Sequence, residues 1–283
     1  MNGNLKLAIQ KKGRLSEKSL ELLKLCGLDI DVYSERLMIS VRNFKIDLLF
    51  LRDDDIPEYV QDGVADIGIV GEDIVFEKKA SITLSEQLGF GRCRLMIAAP
   101  SGKEPSTLNE LNGKTIATSY PNILKDFLSS NNITAKIIEL SGSVEIAPSL
   151  GVADLICDIV STGTTLMMNK LTKSFSVFDS QAVLIANNNL KNDKEKFAIL
   201  NELIGRIRSV LSAKKSKYLM MNIPKNSLAR ITEIIPSLKS PTVLHLADEN
   251  SLAVHAVIPS DRFWSIMDDL KSEGASGILL LPI

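Results

Sequence analysis

The sequence predicts an α/β fold in two lobes followed by a small ferredoxin-like unit. Strand and helix patterns alternate from the N-terminus, which is the α/β signature. The text changes to Pro, Ser, Gly, Asn and Glu over residues 100–112, which reads as a crossing into a second lobe. Residues 214–283 carry a β-α-β-β-α-β order, that of a ferredoxin-like module.

Taken in order, residues 5–9 read as a strand and 16–26 as a helix, with Ser16 as N-cap and Gly27 as its stop. Residues 45–51 and 67–70 read as buried strands. Pro57 suits the first turn of a helix, and Asp53–Asp55 its cap. Further short strands fall at 95–99, 115–118, 135–139 and 155–160, with helices over 123–130 and 166–170. Residues 175–186 read as one strand and 198–213 as a long amphipathic helix, with Lys214, Lys215 and Lys217 at or beyond its end. The C-terminal module places strands at 218–221, 242–246, 252–258 and 278–281, and helices at 227–235 and 261–272. Such a module serves as a small-molecule sensor or as an oligomerisation domain, and fold alone does not choose.

Composition removes several classes of function. With 283 residues, 45% of them hydrophobic, the chain can bury two or three cores. The balance of 33 basic against 34 acidic residues disfavours nucleic acid as a partner. No apolar run approaches the roughly 18 residues that span a bilayer, and the N-terminus reads as too short and polar for a secretory signal, so a cytoplasmic protein is expected. Cys26, Cys93 and Cys157 are scattered, as reduced thiols are. The only histidines, His245 and His255, exclude a His-dependent triad from the first 240 residues.

One stretch concentrates the chemistry. The apolar strand 155–160, interrupted by Asp158, runs into Ser161-Thr162-Gly163-Thr164-Thr165 and then a helix. Backbone N–H groups, hydroxyls and a helix start converge there, which makes either an anion cradle or an ordinary helix cap. The chain lacks Gly-x-x-x-x-Gly-Lys, so a simple nucleoside-triphosphate hydrolase is not expected. Asp154 and Asp158 are read as sitting beside the cradle, able to accept from two ribose hydroxyls and to help hold a magnesium ion. A 5-phosphate cradle beside a diol-binding acid is what a phosphoribosyl group needs. Elsewhere, Lys11 and Arg14 flank Gly13 in a turn that can bring two cations to a polyanion. Arg52 and Gly71-Glu72-Asp73 leave strand ends, where open α/β sheets gather ligands. Tyr120 lies at another such end and can stack on a base or simply pack.

Together these segments resemble the ATP phosphoribosyltransferase family. The matching motifs are Lys11-Lys-Gly-Arg-Leu15, Arg52…Asp55-Ile-Pro57, Asp66-Ile-Gly-Ile-Val-Gly71, Gly91-Arg-Cys-Arg-Leu95, Ile116-Ala-Thr-Ser-Tyr-Pro121 and residues 142–166, in the family's order. Tyr218-Leu-Met-Met-Asn222 and Ser240-Pro-Thr-Val243 resemble the regulatory domain of its long form.

The resemblance implies a periplasmic-binding-protein-like catalytic part, with lobe I over 1–99 and 178–213 and lobe II over 100–177, and a regulatory domain over 214–283. It implies transfer of the phosphoribosyl group of phosphoribosyl pyrophosphate to N1 of the ATP adenine, with Mg2+, in a dimer that becomes a hexamer and needs no separate regulatory subunit. Asp154, Asp158 and Arg52 are the implied catalytic residues. Asp154 with Ser161, Thr162, Gly163, Thr164 and Thr165 would hold the donor. Lys11, Gly13, Arg14, Leu15, Arg52, Gly71, Asp73 and Tyr120 would hold ATP, and Arg92 and Arg94 would help offset phosphate charge. Histidine would inhibit by binding near Asn222, Ser240, Thr242 and Ala275. Asn222 departs from an aspartate that long-form domains can present there, and brings no charge to the histidine ammonium. The rival reading is a non-catalytic two-lobed binding or regulatory paralogue.

Overall fold

The computed structural model describes residues 3–31, 36–160, 164–237 and 239–283. The chain forms two compact units, Met1–Ile204 and Gly205–Ile283. The first unit lays down β1 (Leu5–Gln10), α1 (Arg14–Leu25), β2 (Met38–Ser40), β3 (Ile46–Leu51), α2 (Ile56–Gln61), β4 (Ile67–Gly71), α3 (Glu72–Lys78) and β5 (Thr83–Gln87). It continues with β6 (Cys93–Pro100), β7 (Thr115–Thr118), α4 (Pro121–Ser130), β8 (Lys136–Glu139), β9 (Leu155–Val160), α5 (Thr164–Met168) and β10 (Leu171–Ser180). It then returns with β11 (Ala182–Ala186) and the start of α6 (Lys194–Lys214).

These strands build two mixed sheets, ordered β2-β3-β1-β4-β11-β5 and β10-β6-β9-β7-β8. In the first, β1 runs parallel to β3 and β4, while β11 is antiparallel to β4 and β5. Leu5, Leu7, Ala8 and Ile9 are all buried, the near-continuous apolar run of a strand covered on both faces, interrupted by the exposed Lys6. Lys196 of α6 pairs with Asp66 at 2.9 Å, and Asp66 also accepts from the Lys6 N–H at 2.8 Å, which fixes the start of α6 against the first sheet.

The chain passes between the sheets twice, and both crossings differ from expectation. The strand at 95–99 was expected in lobe I, yet β6 pairs with β9 and β10 in the second sheet. The first crossing thus falls at 88–92, ahead of the Pro- and Gly-containing stretch. The single strand expected over 175–186 is two strands in different sheets, broken at Gln181. Gln181 turns its carbonyl to the Glu72 N–H at 2.9 Å, and Ala182 donates to Phe90 at 2.8 Å, so the two crossings bind each other.

Three local expectations also shift. α1 begins at Arg14, with Gly13 at φ 101 in the N-cap position, and Ser16 lies buried inside the helix. A φ of that sign is costly for a side chain, so glycine sets this start where a serine cap was expected. Asp53–Asp55 form one 3-10 turn before α2, and none of them caps it through its side chain. The second unit begins at Gly205 rather than at 214, because the end of α6 bonds to neighbouring segments of that unit: Ser216 donates to the Ser212 carbonyl at 3.0 Å and Ser260 to that of Lys215 at 2.9 Å.

The second unit adds β12 (Ser216–Pro224), α7 (Leu228–Ile234), β13 (Thr242–His245), β14 (Ser251–Pro259), α8 (Phe263–Ser272) and β15 (Ser276–Pro282). Its antiparallel sheet runs β13-β14-β12-β15, the ferredoxin-like order. Alternation places Leu219, Met221 and Ile223 with Val254, Ala256 and Ile258 under the two helices, where Ile231, Phe263 and Leu270 complete the core. Among the described residues no helix is long and apolar enough to cross a membrane.

Candidate active site

The first unit holds a cavity of about 370 Å³ lined from both sheets. From the first come Gln10, Arg14, Leu15, Lys18, Asp53, Gly71 and Asp73; from the second come Arg92, Cys93, Tyr120 and Ile159. Arg14, Leu15, Gly71, Asp73 and Tyr120, scattered over more than a hundred residues, are thus brought together. Arg14 and Lys18 are one helical turn apart on α1, so the helix offers two cations to one face. Gly13 opens that helix beside the cavity. Lys11 and Arg52 lie exposed at adjoining strand ends, since the Lys11 N–H donates to the Leu51 carbonyl at 2.7 Å.

Asp73 is the buried acid of this cavity, 5% exposed. Its Oδ1 accepts from the Ser180 hydroxyl at 2.5 Å, and its backbone N–H donates to the same Ser180 oxygen at 3.0 Å. Tyr120 lines the same cavity, and its hydroxyl is near enough to help lower the Asp73 carboxyl. Burial pushes the Asp73 carboxyl above its ordinary value, and the hydrogen bonds from Ser180, the backbone and Tyr120 hold it back. The Tyr120 phenol is pushed up, first by burial and then by the charges of Asp73 and Asp158, so it remains a hydrogen-bond donor. Gly71 lets Asp73 fold inward: a Cβ at that position would run into the Asp73 carboxylate.

A second cavity, of about 480 Å³, shares Arg92 and Cys93 with the first and adds Arg94, Lys173, Asp179 and Ser180. Arg94 pairs with Asp179 at 2.5 Å, both exposed. Sequence reading overlooked Lys173, whose strand pairs with β6 and so reaches Arg94 only in the fold. The Cys93 thiol is pushed up by burial and by Asp73, which keeps it protonated and leaves no thiolate nucleophile there.

The two acids expected at the phosphate loop part company. Asp158 lies half-buried on β9, accepts from the Ile159 N–H at 2.8 Å, and is pushed up by burial and then by Glu145. Glu145, which sequence reading missed, comes from the turn Val144–Ile146. Asp154 is at the opposite end of β9. Its Oδ2 accepts from the Thr115 N–H at 2.8 Å, and it lines a separate cavity with Lys103 and Lys114. The strand that begins just after it runs to Val160, about 20 Å away at the rise of a strand. Asp154 therefore lies apart from Asp158, at the other end of β9. Ser161, Thr162 and Gly163 lie outside the described residues, and Thr164 and Thr165 open α5.

In the second unit the effector candidates divide. Asn222 stands opposite Ser276 on β15, beside Ala275, whereas Thr242 lies on β13 opposite His255, with Ser240 just before it. β14 lies between, so the two groups are about 10 Å apart across the sheet.

Two α/β sheets joined by a double crossing, with cation-lined cavities where they meet, define a two-lobed ligand-binding class of protein. A histidine kinase sensor domain with similarity to periplasmic binding proteins shares this fold, with TM-score 0.50 and 11% identity over 75% of this chain and 92% of that chain.

Closer likenesses identify the chain. The family model for ATP phosphoribosyltransferase matches residues 52–209, and that for the HisG C-terminal domain matches 213–283. An ATP phosphoribosyltransferase of Cytophaga hutchinsonii is 50% identical over 283 residues, covering 100% of this chain and 98% of that protein. One of Bacteroides thetaiotaomicron is 46% identical, covering 99% and 98%. The solved ATP phosphoribosyl transferase (HisG:HisZ) complex from Thermotoga maritima has TM-score 0.60 and 34% identity, covering 72% of this chain and 99% of that one. The chain belongs to the ATP phosphoribosyltransferase family. It is a phosphoribosyltransferase of histidine biosynthesis.

Proposed function

We propose that this chain joins N1 of the ATP adenine to C1 of phosphoribosyl pyrophosphate, releasing pyrophosphate. The observation that carries this reading is the cavity lined from both sheets, in which the Asp73–Tyr120 pair sits among Arg14, Lys18 and Arg92. The adenine lone pair forms the N1–C1 bond while the C1–O bond breaks, and both electrons of that bond leave with pyrophosphate. N1 carries no proton, so no strong general base is required, which suits a site without histidine. The ring gains positive charge as the bond forms. Asp73 accepts from the exocyclic amine and so stabilises that charge where it develops, while Tyr120 orients the ring. Arg92, Arg94 and Lys173, with Lys11, Arg14 and Arg52, offset the charge of the two polyphosphates.

On the donor side, residues 161–165 hold the 5-phosphate and Asp158, with Glu145, the ribose hydroxyls. Among the described residues no three His, Cys, Asp or Glu side chains converge on a metal site. Asp158, half-buried and close enough to Glu145 to feel its charge, would be a ligand for a magnesium ion held mostly by the donor's own phosphates. Magnesium, when bound, neutralises charge on the departing pyrophosphate.

The same reading makes the chain a cytoplasmic homo-oligomer, dimer to hexamer, inhibited by histidine at the C-terminal unit through Asn222, Ser240, Thr242 and Ala275. Because the chain carries this unit itself, no separate regulatory subunit is needed. The test is pyrophosphate release from purified protein with ATP, phosphoribosyl pyrophosphate and magnesium, followed with the ultraviolet absorbance of N1-substituted adenine, with and without histidine. Product suppressed by histidine supports both parts. Product unaffected by histidine removes the inhibitor, and no product with pyrophosphatase present removes the reaction.

A further inference from the structure

A helix leaves its first N–H groups without partners, and a serine, threonine, aspartate or asparagine just before it normally supplies one. α4 has no such cap. Tyr120 stands in that position with no side-chain cap bond, and Pro121 has no N–H, so Asn122 and Ile123 present the first donors. Both donate to one carboxylate from the other lobe: Asn122 N–H to Glu77 Oε1 at 2.9 Å and Ile123 N–H to Glu77 Oε2 at 3.0 Å. The Asn122 side chain also donates to the Glu77 carbonyl at 2.9 Å.

Glu77 and Asp73 are four apart on α3, one turn along the same face. Asp73 and Tyr120 line the same cavity, and Glu77 holds the backbone immediately after Tyr120. One helix of the first lobe therefore holds the chain just after Tyr120 and presents Asp73 to the cavity that Tyr120 lines. We propose that Glu77 is a positioning residue: by capping α4 from the opposite lobe it fixes Tyr120 against Asp73 and sets the adenine end of the site. This rests on the reading that Tyr120 and Asp73 face the adenine.

The test compares Glu77→Ala, Glu77→Gln and Lys79→Ala in the full chain. Lys79, just past the end of α3, makes an exposed 3.4 Å pair with Asp126 of α4, a link between the same two segments away from Tyr120. Loss of both bonds to a charged cap is expected to raise KM for ATP about tenfold in Glu77→Ala. KM for phosphoribosyl pyrophosphate and kcat should stay within about twofold of wild type, as befits a change confined to nucleotide binding. Glu77→Gln keeps one acceptor oxygen and should lie between, while Lys79→Ala should match wild type. If Glu77→Ala does not stay folded, Glu77→Gln decides by the same split. An equal rise in both KM values, a fall in kcat with KM for ATP unchanged, or no change overturns the inference. An inactive wild-type chain overturns the reading beneath it as well, whereas an active one with unchanged ATP kinetics in both Glu77 variants overturns this inference alone.

Discussion

Ser180 and Asp73 hold each other twice, hydroxyl to carboxylate at 2.5 Å and backbone N–H to hydroxyl at 3.0 Å, across 107 residues of sequence. Ser180 is the last residue before the return crossing, and Asp73 the buried acid of the cavity. The bond therefore fastens the joint between the sheets to the group read as facing the adenine.

The bond has a signature in pH. The Ser180 hydrogen bond is the largest influence lowering the Asp73 carboxyl against the upward push of burial. Ser180→Ala removes it, so Asp73 takes up a proton at higher pH. The acid limb of kcat/KM for ATP is then expected to move upward, and an unmoved limb would show that Asp73 does not act as a carboxylate.

Asp73 also bears on stability. A carboxyl whose folded value lies above its unfolded one contributes most below the unfolded value, and that contribution is lost as pH rises through the folded one. Asp73→Asn has no such titration and escapes that loss. The melting temperature of the variant relative to wild type should increase from mildly acidic to neutral pH, by roughly 2 °C per kcal/mol for a chain of this size. Parallel thermal melts at both pH values check this, and a gap independent of pH contradicts it.

Gly71→Ala places a methyl group against the Asp73 carboxylate. Overpacking of this kind costs about 1–3 kcal/mol. Lower stability in urea should come with weaker ATP binding by calorimetry. A stable variant with normal binding would mean that Asp73 can yield.

The two acids of the donor strand should separate kinetically. Asp158→Asn is expected to raise KM for phosphoribosyl pyrophosphate by about tenfold or more, the cost of one charge-assisted bond. Asp154→Ala should leave that KM within about twofold, since Asp154 bonds Thr115 at the far end of the strand. The reverse order in steady-state kinetics would overturn this placement.

Asn222→Asp supplies the missing charge beside Ser276. A charge-assisted bond to the histidine ammonium is worth about 1.4 kcal/mol over a neutral one, so half-inhibition should need about tenfold less histidine. An unchanged inhibition curve would place the effector elsewhere.

Much of this was legible in the sequence because ligand groups of α/β proteins leave strand ends, and strand ends can be read from apolar runs stopped by Gly, Arg or Asp. Arg14, Gly71, Asp73 and Tyr120 are legible in that way, and they line one cavity. Asp154 and Asp158 read as one pair because they are close in sequence, but nearness along a strand is not nearness in space, and the two lie toward opposite ends of β9. The break at Gln181 carried no turn residue, so two strands of different sheets read as one. Glu145, Lys173 and Glu77 acquire their partners only through pairing of distant segments, which no local period encodes.

The placement of β11 between β4 and β5 has a consequence for the nascent chain. β5 pairs only with β11, and β11 is the last strand of that sheet to leave the ribosome. Until Ala182–Ala186 emerges, one long edge of β4 stays open and β5 has no neighbour, while the whole second sheet is synthesised in the interval. Unpaired edges of this kind are where chains stick to one another. During translation, the protein is most exposed to aggregation over the span between β5 and β11, and a chain truncated there would be a substrate for chaperones.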